Sequence, residues 1–116
     1  MPRQRYHLRV ADVATARGSD PDLSFVATSP DELAQAVATA LRSPALFERW
    51  RAKQPEPDEV SAALGATDPG AEARAGARAH DVDLVVTTSL PHSILKQRLD
   101  WLLGKGGWVL ADVKSA

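Results

Sequence analysis

Between Asp83 and Val113 the chain reads DLVVTTSLPHSILKQRLDWLLGKGGWVLADV, and the period of its apolar residues changes twice within that stretch. Leu84, Val85 and Val86 form an unbroken run, which suits a strand covered on both faces and placed centrally in a sheet. Thr87, Thr88 and Ser89 end the run with hydroxyls. Pro91 follows, a residue that fits the first turn of a helix because its missing N–H is not needed there. Ser89 is the candidate N-cap. From His92 to Leu103, Ile94, Leu95, Leu99, Leu102 and Leu103 fall on one helix face, and Gly104 is a good stop just beyond. Trp108 to Val113 then resumes a strand. A connection of this length accommodates a helical crossover, so the spacing predicts a parallel, right-handed β-α-β unit.

Arg98 and Trp101 depart from a simple buried stripe. At 100° per residue Arg98 falls inside the apolar arc and Trp101 at its rim beside Ile94. One expectation is that the Arg98 stem packs on Trp101 while its head stays in water. The sharper one is that Ile94, Arg98 and Trp101 form an exposed contact patch, since Trp and Arg dominate interface energetics. Trp50 shares its helix face with arginine in the same way.

Upstream, Tyr6, Leu8 and Val10 alternate with His7 and Arg9, the period of a strand with one face in water. Leu23 to Thr28 is a second candidate strand, paired with the first as a hairpin across a long loop. Ser29-Pro30-Asp31-Glu32 combines a capping serine, a proline at the first helical position and a Glu three residues after the cap. Leu33, Val37 and Leu41 mark the buried face of the helix that follows. Ser43-Pro44 repeats the start signal and marks a kink or a new short helix carrying Leu46, Phe47 and Trp50. Gln54 to Asp58 breaks the pattern. Glu59 to Leu64 reads as a short helix stopped by Gly65, and Gly70 to His80 as a helix of small residues, at the surface or mobile. The expected fold is one α/β (or α+β) domain spanning residues 1–116, with about four strands in a mixed sheet in the order β-β-α-α-(α)-β-α-β.

Composition limits function more than it defines it. The net charge is −1, with no global pull toward nucleic acid or anionic lipid. The absence of cysteine removes disulfides, thiolate metal sites and cysteine nucleophiles. It fits a reducing compartment, and no stretch approaches the roughly 18 apolar residues of a membrane span. Arginine-rich, alanine-rich composition points toward a bacterial source, and a cytoplasmic setting without membrane contact is expected.

Three histidines, His7, His80 and His92, are scattered without metal-ligand spacing, so neither a metal nor a cofactor is expected. Asp112-Val113-Lys114 has the D-x-K form of a nuclease strand, but its upstream carboxylate would have to be Asp83 or Asp100. The leading expectation is a non-enzymatic protein-interaction module: an adaptor, inhibitor or immunity-type protein, or a homo-oligomer. Its contacts would come from Ile94, Arg98, Trp101 and Trp50. One alternative is a nucleic-acid binder using the basic strand Arg3, Arg5 and Arg9, with Tyr6 stacking on bases and Arg49, Arg51 and Lys53 as a second cluster. Another is an anion- or nucleotide-binding protein or enzyme at the Thr87, Thr88 and Ser89 turn, where helix N–H groups and hydroxyls offer donors.

Overall fold

The computed structural model describes residues 3–11, 18, 20, 21, 23, 24, 29–78 and 81–116. Four strands, β1 (Gln4–Val10), β2 (Glu72–Ala77), β3 (Val82–Thr88) and β4 (Val109–Ser115), form one sheet in the order β2-β3-β1-β4. Three helices, α1 (Pro30–Arg42), α2 (Ala45–Ala52) and α3 (His92–Leu103), complete the small α/β domain, with two 3-10 turns at Pro57–Glu59 and Ala62–Gly65. Among the described residues no helix is long and apolar enough to cross a membrane.

The domain is the α/β unit expected, but every neighbouring pair of strands is antiparallel. β3 and β4 do run the same way, joined through α3, and β1 lies between them, so the β-α-β unit is split rather than contiguous. The insertion follows from β1 itself. Tyr6, Leu8 and Val10 are all buried at 1% exposure or less, opposite Val86, Leu84 and Val82 of β3. Opposite residues of a pair share a face, so β1 adds its whole apolar side to the core layer.

Alternation in β3 is strict. Val82, Leu84, Val86 and Thr88 are buried, while Asp83, Val85 and Thr87 between them are partly exposed. The run that suggested cover on both faces is covered by helices on one; among the described residues no element lies over the other. On the covered side Leu33, Val37 and Leu41 of α1 and Leu95, Leu99 and Leu103 of α3 join the strand residues in one apolar cluster. Burial of these aliphatic side chains, each worth roughly 1.5–3 kcal/mol, is the main force holding the helices to the sheet.

Local signals placed α1, α2 and α3 well, whereas Glu59 to Leu64, read as a short helix, is split between the two 3-10 turns. The Ser29 hydroxyl accepts the Glu32 N–H at 3.2 Å, and Pro30 is the first helical residue of α1. Ala34, Ala38 and Ala40, all buried, keep α1 close to its neighbours. Gly104, at φ 83°, ends α3 in a backbone conformation that other residues rarely adopt, and its N–H reaches the Asp100 carbonyl. Ser89 does not cap α3; Pro91 stands at the cap with no side-chain bond.

One segment differs in kind from the expectation. The helix read over residues 70–80 is the edge strand β2. Alanine-rich composition favours a helix locally, yet EARAGA also alternates. Ala73 and Ala75 turn inward and pack on the core, Glu72 and Arg74 turn out, and pairing with β3 decides between the two periods. The candidate strand at Leu23 to Thr28 falls largely outside the described residues; Leu23 itself is buried in the core.

Candidate functional site

The α3 patch expected at the surface lies inside. Arg98 is fully buried and Ile94 is 6% exposed. Neither a wet guanidinium nor an open Ile94–Arg98–Trp101 surface exists. Arg98 Nη1 donates to the Leu64 carbonyl at 3.1 Å and to Gln97 Oε1 at 3.2 Å, and Nη2 donates to the Ala66 carbonyl at 3.0 Å. Its guanidinium carbon sits 5.4 Å from the Trp101 ring centre and 5.8 Å from that of Phe47, within cation–π range. Trp50 and Trp101 stack on each other at 5.0 Å, and both are half-buried. The charge has no carboxylate partner among the described residues, and Nε is buried without a hydrogen bond. Burial pushes the Arg98 pKa down from its ordinary value. This cluster clamps the Ala62–Gly65 turn to α2 and α3. Gly65 belongs to it because a Cβ there would stand 2.7 Å from the Phe47 ring.

The hydroxyl turn after β3 does bind an anion, and the anion is the protein's own Asp68. Thr88 Oγ1 donates to Asp68 Oδ2 at 2.7 Å, and the Ser89 N–H donates to the same oxygen at 3.0 Å. The Gly70 N–H donates to Asp68 Oδ1 at 3.0 Å, and Arg3 Nη2 lies 3.9 Å from Oδ2. Burial alone would raise the Asp68 pKa, but the Thr88 hydroxyl, the Ser89 and Gly70 amides and the Arg3 charge together hold it below the usual carboxylate value. The Thr88 hydroxyl and the Ser89 amide are therefore committed, while Thr87 faces the open side of the sheet. An external anion there would have to displace the Asp68 carboxylate.

Two residues of the basic-strand alternative are also committed. Tyr6 is buried, so it cannot stack on a base; its hydroxyl donates to Gln4 Oε1 at 2.9 Å, with the Leu90 carbonyl 3.3 Å away. Arg3 also donates to the Gly70 carbonyl. In the second basic cluster Arg51 meets Glu48 and Asp58, and Lys53 lies 3.0 Å from Asp20. Arg49 is exposed.

What remains accessible is the helix-free side of the sheet. Its cross-strand rows follow from the register. Glu72, Thr87, Arg5 and Lys114 form one row; Arg74, Val85, His7 and Asp112 the next; Gly76, Asp83, Arg9 and Val109 the third. Charges of both signs are interleaved, and some are paired: Arg78 with Asp83 at 3.2 Å, Lys114 with Asp112 at 3.7 Å. His92 lies elsewhere, exposed on α3 with its ring 6.1 Å from that of Tyr6, and His80 lies outside the described residues. Among the described residues no group of three or more His, Asp or Glu is placed to hold a metal. Asp112 and Lys114 share this side with Asp83, but β1 separates them. Asp100 is on α3, accepting from Trp108 Nε1 and bonded to Lys96.

β4 borders this face and is an edge strand. It carries the exposed large hydrophobic residues of the described chain, Val109 at 64% and Val113 at 39%. A register shift between His7 and Leu8 places Val109 on the open side, opposite Arg9, and Val113 on the core side, opposite Tyr6. Sequence reasoning missed this edge because its strand ends were clear but its neighbours were not. No family model matches the chain, and no curated protein and no solved structure matches it either.

Proposed function

We propose that the protein is a non-enzymatic protein-interaction module whose contact surface is the β4 side of the sheet, not the α3 face. The observation that carries this reading is the pair of exposed valines, Val109 and Val113, on a strand with one edge unpaired among the described residues. Soluble domains usually protect such an edge, and a strand of another chain can add to it through backbone hydrogen bonds. The interleaved charges of the adjoining face suit a protein partner better than a polyphosphate, which favours one sign of charge.

The test replaces Val109 and Val113 together by lysine. Both are exposed, so folding should change by no more than about 1 kcal/mol, checked by thermal unfolding. Binding partners captured by the wild-type chain, or its self-association in light scattering, should be lost. Equal capture and equal mass for the variant would refute the reading, as would a wild-type chain that neither binds nor self-associates.

A second reading has one supporting observation. Arg5, Arg9 and Arg74 project from the open face beside His7, which would suit a single-stranded nucleic acid laid across the strands. It requires a mobility shift with short single-stranded DNA or RNA at low salt that weakens steeply as salt rises. No shift at low salt removes it.

A further inference from the structure

We infer that the β4 edge pairs with a second copy of itself, antiparallel about a two-fold axis through Val113. The inference rests on the interaction-module reading and names its partner. Three features of β4 fit together.

The first is backbone polarity. The Ala116 N–H donates to the Arg3 carbonyl at 3.1 Å, so Ala116 faces β1. Backbone groups alternate sides along a strand, so those of Lys114 also face β1, while those of Val113 and Ser115 face outward. The Val113 N–H agrees with this. It is held at 2.9 Å by its neighbour's side-chain oxygen, Asp112 Oδ1. A strand added at this edge meets Val113 with its backbone groups outward, and pairing exchanges the Asp112 Oδ1 bond for a carbonyl of the added strand.

The second is charge. With Val113 opposite its own copy, Asp112 of each chain stands opposite Lys114 of the other, giving two ion pairs across the axis. Centring the pairing on Asp112 would oppose two carboxylates, and centring it on Lys114 two ammonium groups. Like charges directly opposite are destabilising, so the Val113 register is selected over both neighbours. Lysine on an edge strand commonly blocks pairing, and here the same lysine meets an acid in one arrangement only. Within a single chain Lys114 is only 3.7 Å from Asp112, an exposed pair that exchanges readily for the one across the axis.

The third is apolar contact. Val113 lies on the core side opposite Tyr6, with Leu110 on the same side opposite Leu8. Pairing about Val113 brings the two exposed valines together at the seam and joins two four-stranded sheets into one. The contact is isologous and closes as a dimer without further growth.

The experiment is light scattering on the full chain across a concentration series, with charge variants. The wild type should approach twice the 12.4 kDa chain mass. Lys114→Asp places two carboxylates opposite each other twice and should weaken association by about tenfold or more. The double change Asp112→Lys with Lys114→Asp restores opposite charges and should restore the dimer, an outcome that a general loss of folding could not give. The chain has no cysteine, so Val113→Cys provides an independent reading. Its mutually bonded position sets the Cα atoms about 5.5 Å apart, within disulfide reach, so mild oxidation should yield a covalent dimer. A wild type that stays monomeric, or a dimer indifferent to Lys114→Asp, overturns self-pairing. If the monomeric chain still loses a captured partner when Val109 and Val113 become lysine, the module reading survives alone. If that capture is also unaffected, both fail.

Discussion

Replacing Asp68 with asparagine should lower the stability of the domain by about 2–3 kcal/mol, a fall of roughly 10 °C or more in the unfolding midpoint for a chain of this size. The carboxylate accepts from the Thr88 hydroxyl and from the Ser89 and Gly70 amides, with the Arg3 charge alongside. An amide nitrogen in place of one oxygen cannot accept from Thr88 and Ser89, and the charge assistance is lost. Thr88→Val removes one of the same bonds, so the double variant should lose less than the sum of the two singles. The acid dependence follows from the direction of the Asp68 shift. Its pKa is lowered in the folded chain, so its contribution is complete above the ordinary unfolded value of about 3.9 and disappears as pH falls through the folded value. The wild type should therefore lose stability below about pH 4 more steeply than Asp68→Asn. Parallel acid-unfolding profiles would show that the carboxylate is not what holds this corner.

Arg98→Ala should cost about 3 kcal/mol, and should do so without affecting partner capture. The side chain fills the space between Phe47 and Trp101 and supplies donors to the Leu64 and Ala66 carbonyls. Truncation leaves a void and two carbonyls short of a donor. Arg98→Met separates the contributions. It keeps most of the volume and removes a buried charge with no acidic partner among the described residues, which is itself a favourable change, but it still orphans the carbonyls. Methionine should therefore fall between wild type and alanine. Tryptophan emission offers a second readout, because the Trp50–Trp101 stack lies beside the guanidinium. A stable Arg98→Ala chain that had lost its partner would return this residue to the surface role that its position in the helix first suggested.

Both residues show where reading along the chain succeeds and where it stops. The start of α1, the stripe of α3, the glycine after it and the β3 run are each written within a few neighbouring residues, and each was legible. The hydroxyls after β3 were read, as one alternative, as donors for an external anion. What could not be read locally was that the anion comes from Asp68, just before the stretch read as a helix of small residues. Arg98 failed for a similar reason. Its position in the apolar arc was plain, but the carbonyls that make burial tolerable belong to a turn more than thirty residues earlier. β2 failed differently. Its alanines satisfy helix propensity and strand alternation equally, and only the neighbouring strand breaks the tie. The α3 patch was proposed because tryptophan and arginine together signal an interface, yet the same pair here stabilises an internal turn.

The place of β1 between β3 and β4 also has a consequence for how the molecule is assembled. The β2–β3 hairpin is the one local pairing among the described strands, while both partners of β1 come from the far end of the chain. During synthesis the helices can begin to form as they emerge, but β1 must wait, its apolar side uncovered, until β3 arrives, and its second edge stays bare until β4 follows. Refolding should accordingly be slow for so small a protein, because closing these long loops costs entropy before any pairing repays it.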